Sequence, residues 1–235
     1  MGILQLYSKD DYYVKVKQTD FMPGQFCWIV VPQLDPIPRI LDVERSDPEE
    51  HDSVKFTLRS ANQSGDFRQK DRILPLKRLN LRSNEELLIQ KAKKRPGIIL
   101  ASSMDKFSDV ASLLRRKGKK HLQEDCLFVA SCYGVETEDN AFGFPPEMVA
   151  RIRCCFYRQF FYCPPHPSLP KENIVRIDRT QVVIGRDPST IEPLEVALSP
   201  SVLSVFLAMI NFCITGEEND HLTALRNLAK ESYPQ

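Results

Sequence analysis

Short apolar segments between turn-forming residues constrain the fold of this chain more than any other feature. Residues 26–31 (FCWIVV), 97–101 (GIILA) and 126–131 (CLFVAS) are rich in β-branched, aromatic or other apolar side chains. Runs of this length beside turn signals such as Pro23-Gly24 are typical of buried strands. Further strands are predicted over 54–58, about 151–162 and 174–184.

Three longer segments have helical signals. Residues 83–94 have acidic residues at their start and lysines at their end, and residues 103–117 have an amphipathic pattern closed by Gly118. Residues 200–215 lie between Ser199-Pro200 and Gly216, which are start and stop signals, and a weaker helical pattern covers 221–230. The predicted class is therefore mainly β with helices, an α+β fold.

Composition excludes several classes of protein. Hydrophobic residues make up 42% and charged residues 27% of the 235 residues, an ordinary globular balance. No apolar run reaches the roughly 18 residues of a membrane-spanning helix, and the N-terminus lacks the pattern of a signal peptide. The seven cysteines contain no CxxC pair, so we predict no metal site and buried free thiols in a reducing cytoplasm. No Gly-rich phosphate loop is present, and no cofactor is predicted.

Basic residues are concentrated in two blocks although the net charge is only +1. Residues 82–121 contain eleven Lys or Arg against four Asp or Glu, and residues 151–180 contain six against two. Such blocks suit a polyanion-binding face or an ordinary solvated surface. Within 151–162 (RIRCCFYRQFFY) arginines alternate with aromatic residues, which suits single-stranded RNA or a core strand with a basic outer face. Arg153 and Tyr157 are the best outward-facing candidates for RNA binding.

Five segments, taken in order, resemble the PemK/MazF family of endoribonuclease toxins. The matching segments are Gly24–Trp28 (GQFCW), Lys94–Ser102 (KRPGIILAS), Leu127–Ser131 (LFVAS), Ile174–Arg179 (IVRIDR) and the helix from Leu198 to Gly216. The resemblance implies a small barrel like the Src-homology-3 type with a C-terminal helix. It also implies a cytoplasmic homodimer that acts on single-stranded RNA and is neutralised by a cognate antitoxin protein.

The resemblance also suggests the domain organisation. Residues 1–20 form an N-terminal extension, residues 21–217 form the barrel domain, and residues 218–235 form a tail. The barrel domain contains an insertion over 32–93, where the family usually has a short loop. We expect this insertion to be a partly ordered cap rather than a separate domain.

Three residues are predicted to carry the chemistry. Arg176 and Asp178 are two positions apart on one strand, so their side chains share a face. By resemblance, Asp178 is the general base for a 2′-hydroxyl, Arg176 stabilises the phosphoryl charge, and Arg95 clamps a phosphate. An exposed ion pair explains Arg176 and Asp178 equally well, and a charge at a helix end explains Arg95. Ser131 aligns with a family position that contacts RNA, although a lone serine is more often structural.

Two functions from different classes remain open at this stage. The first is a toxin-type endoribonuclease that cleaves RNA without metal. The second is a non-catalytic module of the same fold that binds protein or nucleic acid, as related gyrase poisons do. Convergence of Arg95, Arg176 and Asp178 in one open groove would favour catalysis, whereas pairing of these residues elsewhere would favour binding.

Overall fold

The computed structural model describes residues 2–45, 53–69, 81–102 and 109–233. Within them the chain forms ten strands and five α-helices, and the expected α+β class is confirmed. The strands are β1 (Tyr13–Lys15), β2 (Gln25–Pro32), β3 (Arg39–Arg45), β4 (Val54–Ser60), β5 (Leu88–Ile89), β6 (Ala92–Ser102), β7 (Cys126–Gly134), β8 (Phe160–Cys163), β9 (Asn173–Ile184) and β10 (Ile191–Leu198). The helices are α1 (Ile3–Leu6), α2 (Ala111–Arg116), α3 (Pro146–Arg153), α4 (Pro200–Thr215) and α5 (Asp220–Glu231).

The larger sheet has seven strands in the order β1-β10-β2-β6-β7-β9-β8. Strands β1 and β8 are its two edges, so among the described residues the backbone pairing does not close into the expected barrel. The two edges are nevertheless joined by side chains. The Tyr12 hydroxyl donates to the Tyr162 carbonyl at 2.5 Å, and the Tyr13 hydroxyl donates to the Pro164 carbonyl at 2.6 Å. The sheet is therefore curled, and the hydroxyls of Tyr12 and Tyr13 bridge its two edges.

The main core lies where α4 packs on this sheet. Pro200 begins the helix, since a missing N–H costs nothing in the first turn, and Gly216 ends it in the left-handed conformation at φ 81°. The helix buries Val202, Val205, Phe206 and Met209, and the Phe206 ring lies 4.9 Å from that of Phe161 in β8. This packing holds β8 and β9 in place, and β9 carries two of the predicted catalytic residues.

The chain divides into two compact units, Met1–Val30 with Lys94–Gln235, and Val31–Lys93. The smaller unit contains the antiparallel sheet β4-β3-β5, with Ile40 fully buried in it. Arg59 binds both Asp42 and Asp66 there, with 2.7 Å between its Nη2 and Asp66 Oδ1. This ion-pair network organises the loop that follows β4.

Two predictions of secondary structure are wrong. Residues 83–94 do not form a helix, because the chain enters β5 and β6 there and β6 already includes the residues before Pro96. The ring of a proline disfavours the helical region for the residue before it, which here is Arg95. The predicted strand at 151–162 is also wrong in its first half, since α3 runs to Arg153 and β8 begins at Phe160. The helix predicted over 103–117 is observed in part, as the six residues of α2, and residues 103–108 lie outside the described residues.

All seven cysteines are free thiols, and five of them are buried. Burial raises the pKa of Cys27 and of Cys155 to about 12, so these thiols stay protonated and unreactive. No single described helix has the length and apolarity to cross a membrane, although α4 and α5 together, bent by 101°, satisfy that test by length and composition.

Candidate functional site

Two of the predicted site residues, Arg95 and Arg176, lie over the ring of Tyr133 near the end of β7, and a third, Asp178, is paired with Arg176. The guanidinium carbon of Arg95 lies 4.4 Å from the centroid of this ring, and that of Arg176 lies 5.6 Å from it. The Asp178 carboxylate accepts a hydrogen bond from Arg176 Nε at 3.0 Å and a second from Arg176 Nη2. We call Arg95, Tyr133, Arg176 and Asp178 the Tyr133 cluster.

Strand register explains why these residues meet. Gly97 of β6 lies opposite Ser131 of β7, so the same antiparallel register places Arg95 opposite Tyr133. Ser131 in turn lies opposite Arg176 of β9, which makes Arg176 a diagonal neighbour of Tyr133. Diagonal neighbours on one face of a sheet lie within reach of long side chains. Phe160 of β8 lies opposite Arg176 on the other side, with its ring centroid 5.8 Å from the guanidinium carbon.

A bulge in β9 places Asp178. Ala130 and Ser131 are consecutive in β7, yet they pair with Thr180 and Arg176, so Ile177, Asp178 and Arg179 have no partner in β7. The Ser131 hydroxyl donates to the Arg179 carbonyl at 3.2 Å, and the Thr180 hydroxyl donates to the Ile177 carbonyl at 2.9 Å. Bulges are frequent beside active sites because they redirect a side chain. Here the bulge leaves the Asp178 side chain 34% exposed beside Arg176.

The cluster is cationic and partly shielded from solvent. Hydrogen bonding to the Asp178 carboxylate raises the pKa of Arg176, while partial burial of the guanidinium opposes this rise. Arg176 keeps 26% of its side chain exposed, so a ligand can reach it. Burial also raises the pKa of the nearby Cys213 thiol, with a smaller contribution from the negative charge of Asp178 and an opposing one from Arg158. Cys213 is therefore a neutral thiol beside the cluster.

The remaining predicted residues lie in other surroundings. Ser131 is fully buried, and its hydroxyl is used within the protein to hold the bulge. Arg153 ends α3, forms an ion pair with Glu172, and lies over the Tyr162 ring at 4.8 Å. The Tyr157 ring packs edge-on against Phe160 at 6.1 Å, which makes it a neighbour of the aromatic residues beneath Arg176. The RNA-binding role given to these three residues stays a prediction.

Sequence reasoning missed Tyr133 and Phe160 as parts of the site. Both lie in apolar strands, where an aromatic residue has no special signal, and only the register between strands brings arginines onto their rings. Among the described residues, no three His, Cys, Asp or Glu side chains form a group that could hold a metal ion. Comparisons with protein-family models, with curated proteins and with solved structures find no match for this chain.

Proposed function

We propose that this protein is an endoribonuclease that cleaves single-stranded RNA by attack of a 2′-hydroxyl on the neighbouring phosphate. The observation that carries the proposal is the Tyr133 cluster, in which two guanidinium groups share one aromatic ring and one of them holds a carboxylate. A phosphate diester needs cationic hydrogen-bond donors, and 2′-hydroxyl attack needs a nearby base. The cluster supplies both within a few side chains.

Each residue then has a defined role. Asp178 takes the proton from the 2′-hydroxyl, because each carboxylate oxygen keeps a lone pair beyond the one bound to Arg176. The 2′-oxygen forms a bond to phosphorus, and the bond from phosphorus to the 5′-oxygen breaks. The 5′-oxygen takes a proton from water, and the hydroxide that remains takes the proton back from Asp178. The products are a 2′,3′-cyclic phosphate and a 5′-hydroxyl. Arg176 stabilises the charge that grows on the phosphoryl oxygens, and Arg95 binds the phosphate.

We also propose that the protein is a toxin of the kind its sequence resembles, the PemK/MazF endoribonucleases. The segments that resemble this family include Arg95 in β6 and the Arg176–Asp178 pair in β9. A toxin of this kind acts as a homodimer in the cytoplasm and is held inactive by a cognate antitoxin protein. The curled sheet, whose edges meet through Tyr12 and Tyr13, is the nearest counterpart here of a small barrel.

The test is cleavage of a single-stranded RNA, with and without EDTA, by wild type and by Asp178→Asn. We expect EDTA-resistant cleavage with a cyclic phosphate product, and a loss of about 10²- to 10⁴-fold in rate for Asp178→Asn. The matched control is Asp125→Asn, which makes the same change in the Arg186–Asp125 pair, whose atoms lie 2.9 Å apart. Equal rates for Asp178→Asn and wild type, or cutting at a 2′-deoxy position, would rule out this mechanism.

A second candidate is a non-catalytic binding module, and one observation favours it. Arg176 and Asp178 already satisfy each other through two hydrogen bonds, as in a structural ion pair. In that case the cluster binds an anionic partner through Arg95 and the rim of Arg176. Tight RNA binding by both wild type and Asp178→Asn, with no cleavage by either, would select this function.

A further inference from the structure

A small cavity lies beside the lone tryptophan of the chain, apart from the Tyr133 cluster. Its volume is about 140 Å³, and Trp28, Val30, Lys94, Ser189, Thr190 and Glu192 are among its lining residues. Trp28 of β2 lies directly opposite Glu192 of β10, so their side chains share one face of the sheet. The Trp28 ring therefore forms one wall of a cavity with polar groups on its rim.

The rim combines donors and acceptors. The Lys94 ammonium lies 5.9 Å from the centroid of the Trp28 ring and forms an ion pair with the Glu192 carboxylate. The hydroxyl-bearing residues Ser189 and Thr190 also line the cavity. An aromatic wall with both kinds of hydrogen-bonding group nearby suits a planar ring that has donors and acceptors along its edge.

Another part of the lining is a turn whose shape is fixed by its own hydrogen bonds. The Asp187 carboxylate accepts hydrogen bonds from Ser189 N at 2.8 Å and from Ser189 Oγ at 2.6 Å. The Asp187 carbonyl accepts from Thr190 N at 2.8 Å and from Thr190 Oγ1 at 2.9 Å. A preformed wall lowers the entropic cost of binding.

We propose that this cavity is a nucleobase-binding subsite for single-stranded RNA. A base stacks on Trp28, and its edge exchanges hydrogen bonds with Lys94, Glu192 and Thr190. The choice of RNA rests on the proposed function. Lys94 and Arg95 are consecutive residues of β6, so the cavity and the Tyr133 cluster lie on opposite faces of this strand.

The test uses the intrinsic fluorescence of the protein, because Trp28 is its one tryptophan. The probe is a short single-stranded oligonucleotide with 2′-O-methyl sugars, which cannot be cleaved through its 2′-oxygen. We expect saturable quenching by this probe and none by an abasic oligonucleotide of equal length. Equal quenching by the abasic probe would mean that only phosphates bind, and this would overturn the proposal.

Substitutions give a second readout that does not depend on fluorescence. Stacking on an aromatic side chain contributes enough that Trp28→Leu should weaken binding of a labelled probe about 5- to 100-fold. Lys94→Ala should also weaken binding of the probe. The matched control is Lys15→Ala, which breaks an exposed ion pair with another β10 glutamate, Glu195, and should leave binding unchanged. If Trp28→Leu fails to fold, the Lys94 and Lys15 variants decide.

The outcomes separate this subsite from the proposed catalysis. Quenching by the base-containing probe in a protein that cuts no RNA would keep the subsite and remove the nuclease. RNA cleavage without quenching, or with unchanged affinity in Lys94→Ala, would overturn the subsite and leave the nuclease. Quenching by a proline-rich peptide but not by the oligonucleotide would assign the cavity to a protein partner and overturn the proposal.

Discussion

Tyr133 organises the candidate site because two cations share its ring. A guanidinium over an aromatic face is attracted by the ring quadrupole, by about 0.5–1 kcal/mol at exposed sites and about 2 kcal/mol or more when desolvated. Arg95 and Arg176 both make this contact, so the ring holds two like charges near each other. Asp178 offsets part of the resulting repulsion through its ion pair with Arg176. A phosphate would complete the neutralisation.

The first prediction concerns this ring. Tyr133→Leu removes the shared platform, so we expect kcat/KM for RNA to fall about 5- to 100-fold, in proportion to the lost cation–π contacts. Tyr133→Phe keeps the aromatic face and should stay close to wild type. Kinetics on one oligonucleotide, with circular dichroism to verify folding, measure both. Equal loss in the Phe and Leu variants would show that the hydroxyl, rather than the ring, matters.

Residue-level prediction from sequence succeeded where the signal was local. The two-residue spacing of Arg176 and Asp178 predicted that they lie side by side, and they do form an ion pair. The spacing alone did not reveal that a bulge separates Arg176 from Thr180, because the bulge depends on pairing with Ala130 and Ser131. The position of Tyr133 beneath the arginines depends likewise on the register of β6 and β7, which no local pattern encodes.

At the scale of elements, the loop after β7 positions Phe144, whose ring packs against Phe160 beside the Tyr133 cluster. The chain reverses so closely that a Cβ on Gly143 would lie 2.2 Å from the Val135 carbonyl carbon and 2.3 Å from Glu136 N. Hydrogen bonds from Phe144 N to Gly134 O and from Glu136 N to Phe144 O close the loop at 3.1 Å and 2.9 Å. The Phe144 ring then packs edge-on against Phe160 at 5.2 Å.

The second prediction follows from this crossing. Gly143→Ala places a methyl group against backbone that cannot move aside, so we expect a loss of about 1–3 kcal/mol in the free energy of unfolding. Urea denaturation measures it. The control is Gly65→Ala, whose Cβ would meet only Asn62 Nδ2 at 3.8 Å, and it should change stability by less than about 0.5 kcal/mol. Equal stability of the two variants would contradict the proposed crowding.

Elements with strong local signals were predicted, and elements defined by their neighbours were not. The apolar runs of β2, β6, β7 and β9 and the capped helix α4 all occur where the sequence predicts them. Strand β10 was missed because Pro193 and its glutamates interrupt its apolar pattern, and burial comes from pairing with β1 and β2. Helix α3 was missed, and its last three residues were included in the strand predicted at about 151–162, because the aromatic run from Phe156 to Tyr162 suggested a strand.

At the scale of the whole larger unit, the N-terminal segment joins the two edges of the sheet near His166. The Tyr13 ring lies 5.1 Å from the His166 ring, and His166 Nδ1 accepts a hydrogen bond from Ser168 N at 3.2 Å. Burial lowers the pKa of His166, so the folded state binds its proton less readily than the unfolded state does. The stabilising contribution of neutral His166 is therefore present above about pH 6.5 and lost as pH falls.

The third prediction tests this linkage. His166→Asn keeps a hydrogen-bond acceptor near Ser168 but does not titrate, so its unfolding free energy should fall less than that of wild type on acidification. Urea denaturation at several pH values between about 5 and 8 measures both slopes. Parallel curves for the two proteins would show that His166 does not contribute to the acid sensitivity.

The fourth prediction concerns how the curled sheet is held together. An edge strand presents carbonyl groups that no neighbouring strand can satisfy. In β8 the Tyr162 carbonyl is bound instead by the hydroxyl of Tyr12, a side chain that is fully buried and whose burial raises its pKa well above the usual range. A buried carbonyl left without a donor costs about 1–3 kcal/mol. Tyr12→Phe should therefore destabilise the protein by about this amount.

The same substitution at Tyr7 is the matched control, because Tyr7 is only partly buried against the core. Tyr7→Phe should change the unfolding free energy by less than about 0.5 kcal/mol. If β1 and β8 are held together mainly by tyrosine hydroxyls, Tyr13→Phe, which frees the Pro164 carbonyl, should also be destabilising. Hydrogen exchange of β8 amides should then speed up in both edge variants and not in Tyr7→Phe. Unchanged exchange in β8 would mean that packing against α4, rather than the tyrosine bridges, keeps the edges together.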